Sequence, residues 1–125
     1  MYDYGKNTIN YPVYDLNPEI IESSYYLKRY TGKEKYLDMA SVYWQDLKDY
    51  CRTEVAFTSV ENVVTNEKRD YMPTFFFAET LKYFYLIFSD EMDLNPDDYV
   101  FNTEAHPFKK NSFKKELIRE KHGIE

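Results

Sequence analysis

The stretch that most constrains this chain is Thr74 to Phe88, TFFFAETLKYFYLIF, which follows Pro73 and carries apolar side chains almost all round a helix. Such a helix is buried on most sides, and a free three-helix unit would struggle to cover it. The stretch therefore belongs inside something larger. It also holds one carboxylate, Glu79, which must be paired, metal-linked or protonated because an unpaired buried charge is costly. Periodicity alone favours a salt bridge to Lys82 or to a neighbouring helix.

Two helices are expected upstream. Asn17 followed by Pro18 reads as an N-cap with proline at the first helical position, and Glu19 and Glu22 then sit where the helix dipole favours negative charge. This helix runs to Tyr30, and Gly32 closes it. Tyr36, Met39, Ala40, Tyr43, Trp44, Leu47 and Tyr50 recur at three- and four-residue spacing, which predicts a second helix from about Lys33 to Tyr50. Joined at Gly32, the two make a helical hairpin. Residues 1 to 16 are polar and turn-rich, more a mid-domain connection than a domain start, so the chain reads as a fragment.

Glu54 to Val64, EVAFTSVENVV, is rich in β-branched residues and predicts short strands ending in a polar loop, TNEKRD. Beyond the aromatic helix, SDEMDLNPDD is a polar loop, and YVFNTEAHPF gives an extended run with a turn at Pro107. From Lys109 on the chain is charged and helix-prone, a solvated end.

At 125 residues the chain fits one ordinary domain. Its net charge of -6 and lack of a cationic stripe exclude nucleic acid as a partner. With no apolar run of about 18 residues and no basic-then-apolar start, it holds neither a transmembrane helix nor a signal peptide, so membrane contact by this chain is not expected and any targeting segment lies upstream. A single cysteine, Cys51, cannot form an internal disulfide; it is either buried or partnered outside the chain. The 14 tyrosines, 9 phenylalanines and one tryptophan exclude a disordered segment, and such rings serve both as core and as sugar-facing surface, with packing the commoner role for any one of them.

Few residues point to chemistry individually. Glu19 and Glu22, three apart, share a helix face and can reach one site, though acids at a helix start are usually there for the dipole. Thr103, between Asn102 and Glu104, can offer a hard cation both its carbonyl and its hydroxyl oxygen, but turns are full of threonines. His106, before Pro107, reads as structural rather than as a ligand. Separately, these signals describe a helical domain and no more.

In combination, YPVYDLNPEIIESSYYLKRYTG, MPTFFFAETLKYFYLIFSD and YVFNTEAHPF resemble, in order and spacing, the C-terminal region of the class I α-1,2-mannosidases, glycoside hydrolase family 47. The resemblance covers roughly Tyr11 to Phe108. It implies an all-α fold, the C-terminal part of an (αα)7 helical barrel, with a short β excursion near 54–64 and an extended turn near 99–108. Residues 1–108 would belong to the catalytic barrel and 109–125 to a charged tail.

The implied activity is calcium-dependent, inverting hydrolysis of terminal α-1,2-linked mannose from high-mannose N-glycans on glycoproteins, in the endoplasmic reticulum or Golgi lumen. By the same resemblance Glu19 is the general base, Glu22 lines the sugar and calcium site, and Phe75 packs against the mannose ring. Glu79 holds calcium-bound waters and sugar hydroxyls, Thr103 is the one direct protein contact to Ca2+, and Glu104 is an outer-shell carboxylate beside it.

Two positions depart from the family pattern. Asn17 stands where arginine is usual, so LRPE has become LNPE, and Pro73 replaces an acid that commonly precedes the aromatic helix. The acid-side carboxylates are absent from these 125 residues, so the chain by itself is expected to be inactive. The alternative from a different class is a mannose-recognition module of a glycoprotein quality-control relative, with little or no hydrolysis.

Overall fold

The computed structural model describes residues 1–89, 94–110, 112 and 115–123, so part of the expected 89–98 loop and of the tail lies outside the described residues. The chain forms two compact units, Met1–Phe88 and Ser89–Glu125, with the division inside the stretch read from the sequence as one portion.

Three helical runs build the first unit. Helix α1 spans Glu19–Thr31 and ends at Gly32, whose φ of 67° lets its N–H return to the Lys28 carbonyl at 2.9 Å. A Cβ at Gly32 would meet nothing within 4 Å, so the left-handed backbone, not space, selects glycine there. The start differs from expectation by one residue. Pro18 is the cap, its carbonyl accepting the Glu22 N–H at 2.8 Å, and no side chain caps the helix. Pro18 already has helical dihedrals (φ -85°, ψ -18°), so Asn17 stands outside the first turn.

Helix α2 spans Lys35–Asp46 and continues as a π-helical turn, Leu47–Cys51, which ends close to the expected Tyr50. Ala40, Leu47 and Cys51 are buried and Tyr43 and Trp44 half-buried, whereas Met39 and Tyr50 of the expected stripe are exposed. Cys51 is buried and has no disulfide within these residues, and desolvation pushes its thiol up to about 11.

The aromatic stretch is helical as expected, but it opens with a π-helical segment, Phe76–Leu81, before helix α3, Lys82–Phe88. Propensity could not have foretold that, because π turns follow from local packing and cluster at functional sites. α1 packs on α2 and on both halves of the aromatic helix, and α2 packs on α3. Phe76 and Ile21 are fully buried; Tyr25, Tyr83 and Phe84 nearly so. Rings interlock across the elements: Trp44 lies 5.1 Å from Phe84, Phe57 5.2 Å from Phe76 and Tyr25 5.7 Å from Tyr83. Phe77 and Tyr85 stay exposed at 58% and 56%, so one face of this helix is bare within its own unit.

The described residues are helix-rich with three two-stranded antiparallel sheets, not helical alone. The first hairpin, β1 (Tyr2–Asp3) with β2 (Thr8–Ile9), is missed by a reading of residues 1–16 as mere connection. Its signal was the turn chemistry of Asp3, Gly5 and Asn7. The Asp3 carboxylate accepts the N–H groups of Gly5 and Lys6 at 3.0 and 3.1 Å, and Asn7 takes a φ of 53°. Strand β3 (Val60–Asn62) confirms the β excursion, and its partner β4 (Glu67–Lys68) falls in the expected polar loop.

In the second unit β5 (Tyr99–Phe101) pairs with β6 (Pro107–Lys109), and helix α4 spans Lys115–His122. No described helix is long and apolar enough to cross a membrane. Phe76 sits where the rings of two elements meet, so Phe76→Ala should lower the unfolding free energy by about 3–5 kcal/mol in urea titrations followed by circular dichroism.

Candidate active site

The four residues that lead into α1 are each fixed by a different element. Tyr14 exchanges backbone hydrogen bonds with Val60, both 2.9 Å, and the Asp15 carboxylate meets the Arg69 guanidinium at 3.3 Å. Leu16, fully buried, takes a left-handed φ of 60°, and its carbonyl accepts the Thr80 hydroxyl at 2.7 Å. The Asn17 carbonyl accepts the Tyr43 hydroxyl at 2.9 Å. Because that bond uses the one Tyr43 phenol proton, Tyr14 is the donor in the short contact between the Tyr14 and Tyr43 hydroxyls.

Glu19 follows this strap directly. It is exposed in the first turn of α1, and its charge is felt at the Tyr14 and Tyr43 phenols. Glu22, one turn on, is half-buried and accepts the Tyr83 hydroxyl at 3.1 Å. Burial first, then the hydrogen bond to Tyr26 and the neighbouring Glu22, push the Tyr83 phenol upward, so it stays a donor at neutral pH. Glu22 is thereby tied to the helix that carries Glu79.

Phe75 is half-buried at the mouth of the π-helical segment, and Glu79 lies within that segment at 9% exposure. Thr80, the next residue, points its hydroxyl at Leu16. Sequence reasoning identified Glu79 but missed Thr80, Tyr43 and Tyr83. A polar residue beside a buried acid in an apolar helix was the available signal for Thr80; none singled out the two tyrosines.

In the second unit Thr103 and Glu104 occupy the β5–β6 turn, both exposed. The turn is built on Asn102, whose side-chain oxygen accepts the N–H of Glu104 at 3.1 Å and of His106 at 2.9 Å, while Ala105 takes a φ of 54°. His106 serves through its backbone, as expected of a structural residue. Among the described residues the Thr103 carbonyl and hydroxyl oxygens take part in no hydrogen bond. Two oxygens of one exposed residue at a stapled turn fit a hard cation that takes oxygen ligands. No three described His, Cys, Asp or Glu side chains form a ligand cluster, and a site with Thr103 as its single direct protein contact requires none.

A hollow in the first unit lined by Tyr14, Ile20, Tyr43, Leu47, Cys51 and Val60 contains none of the candidate acids. Its lining is largely apolar but also includes Asp46 and Asn66. The candidate acids stand instead at the start of α1 and in the π-helical segment.

Large amphipathic rings beside acids on packed helices suit a sugar-handling site. The chain belongs to glycosyl hydrolase family 47, whose family model matches residues 3–110. It is 46% identical over 96 residues to a mannosyl-oligosaccharide 1,2-alpha-mannosidase of Caenorhabditis elegans, covering 75% of this chain and 16% of that protein. It is 43% identical, again over 75% of its length, to ER degradation-enhancing alpha-mannosidase-like protein 1 of Saccharomyces cerevisiae, of which it spans 12%. Among solved structures it is similar to an alpha-1,2-mannosidase from Trichoderma reesei, with a TM-score of 0.75 and 41% identity over 81% of this chain and 22% of that one. The chain thus spans well under two thirds of the length of these relatives.

Burial, more than any other influence, pushes the Tyr43 phenol from 10.0 up to about 12 and Tyr14 higher still. Unfolded phenols lose their protons near pH 10 and these lose them later, so the folded state keeps the full benefit of the pair below pH 10 and loses it as pH rises toward 12. Denaturation midpoints should therefore be flat across neutral pH and fall above about pH 10, less steeply in Tyr43→Phe, with phenolate absorbance reporting the ionisation.

Proposed function

We propose that this chain is the C-terminal portion of the catalytic barrel of an inverting, calcium-dependent α-1,2-mannosidase, closed as (αα)7 by polypeptide beyond these residues. Its substrate is terminal α-1,2-linked mannose on high-mannose N-glycans, in the lumen of the endoplasmic reticulum or Golgi. The observation that carries the reading is the pinned setting of the α1 start, which puts Glu19 and Glu22 on one helix end tied through Tyr83 to the helix of Glu79. The names of the relatives support the substrate class.

In this reading Glu19 takes a proton from the attacking water, and its exposure gives that water access. Inversion needs room for the water between base and acid, with the two carboxyl groups about 6.5 to 9.5 Å apart, and the acid comes from outside these residues. Thr103 would hold a calcium ion through its hydroxyl and carbonyl, with Glu104 beside it. Bound there, the ion supplies positive charge and coordination for sugar hydroxyls. Glu22 and Glu79 orient waters and hydroxyls, and Phe75 offers a ring to an apolar face of the hexose.

A second reading rests on position 17. Asn17 replaces the usual arginine, and its side chain neither caps α1 nor enters any hydrogen bond among the described residues. That loss of a cationic sugar contact favours a glycan-recognition protein with little turnover. Calcium-dependent glycan binding without mannose release by the full-length protein would establish it.

Two measurements test the enzymatic reading. Glu19→Gln in the full-length protein should lower mannose release from a high-mannose glycan by about 10²–10⁴-fold, while the 125 residues alone release none. Equal turnover by the variant removes Glu19 from the base role. Chelation should abolish turnover and calcium restore it; Thr103→Ala should shift the restoring calcium concentration upward by at least about tenfold in a metal titration.

A further inference from the structure

We infer that Thr80 and Tyr43 are positioning residues for the Glu19 base: their hydroxyls clamp the successive carbonyls of Leu16 and Asn17 and so set the angle at which the acid enters the site. The inference rests on the base role proposed for Glu19. It deepens that role by assigning work to two residues that act through the backbone of the strap.

Leu16, Asn17 and Pro18 lead directly into Glu19, and each one's freedom is restricted. Leu16 is held left-handed at a φ of 60° with its side chain fully buried, a conformation that a leucine keeps only when its surroundings enforce it. The bond enforcing it most directly comes from Thr80, itself fully buried, across 64 residues of sequence. A threonine within a helix ordinarily turns its hydroxyl back to a carbonyl one turn earlier. Here it is spent on another segment.

Asn17 is held through its backbone alone, by the Tyr43 hydroxyl. Tyr14 supplies a proton to that same oxygen, which orients the Tyr43 hydroxyl toward Asn17. Pro18 then fixes its own φ, and its carbonyl starts α1. Nothing soft remains between the clamps and Glu19. Thr80 also directly follows Glu79, so one turn of the π-helical segment holds an acid and sets the approach of another. Such coupling suits a site in which a base must sit within a fraction of an ångström of its water.

The test uses the full-length protein and α-1,2-mannobiose as the probe. Thr80→Val keeps the shape and removes the donor; Thr80→Ser keeps the donor; Tyr43→Phe removes the second clamp. Thr80→Val and Tyr43→Phe should each lower kcat by about 10- to 100-fold with KM within about twofold of wild type, and Thr80→Ser should recover most of the loss. A packing role alone would lower the melting temperature of Thr80→Val and leave kcat of the folded fraction unchanged; that result overturns the clamp. If Thr80→Val does not fold, Tyr43→Phe decides in the same way, since Tyr43 is only half-buried. Wild-type protein that binds the disaccharide but releases no mannose overturns the base role itself, and the clamp falls with it; an active wild type with unaffected variants overturns the clamp alone.

Discussion

Burial of the aromatic helix against α1 is the interaction on which the first unit depends. Phe76, Tyr83 and Phe84 have almost no exposed surface: Phe57 packs on Phe76, Tyr25 of α1 on Tyr83, and Tyr43 and Trp44 of α2 on Phe84. Each of these large side chains contributes roughly 1.5–3 kcal/mol when removed from water. That term is large enough to hold a leucine in the left-handed region, which costs roughly 1–2 kcal/mol. Strain at Leu16 therefore persists because packing on both sides leaves the strap no alternative path.

The same packing explains how acids are tolerated there. Glu22 is only partly withdrawn from solvent and receives a phenolic hydrogen bond, which fixes its direction. Glu79 is deeper, in a helical segment whose π geometry departs from the regular ladder. A tyrosine such as Tyr83, whose proton is held firmly by burial, is a suitable donor for the Glu22 carboxylate because it stays neutral across the physiological pH range.

Much of this was legible in the sequence, and the reasons are local. Gly32 ends α1 because only its backbone can turn that way cheaply, and the apolar run after Pro73 announced a buried helix with an acid inside it. The ordered motifs at Glu19, Glu79 and Thr103 led to the family. What escaped was set by contacts distant in sequence. The cap moved from Asn17 to Pro18, the aromatic helix opened as a π segment, and Met39 and Tyr50 turned outward although their spacing fits the stripe. The N-terminal hairpin escaped for another reason: its strands are two residues each, so turn chemistry, not strand propensity, makes it.

The strap also shows why position 17 can change without dismantling the site. Its structural duty is carried by the carbonyl that accepts the Tyr43 hydroxyl, a group every amino acid supplies. Its side chain is outside the helix cap and free of that duty. Residue 17 can therefore be exchanged while the path of the strap into α1 stays constant, whereas Thr80 acts through its side-chain hydroxyl and cannot give way to a residue that lacks a donor there. Backbone and side chain thus have separate duties at position 17: the carbonyl holds the strap, and the side chain is left to solvent. An asparagine in place of arginine leaves that carbonyl, and with it the direction in which the strap enters α1, unchanged.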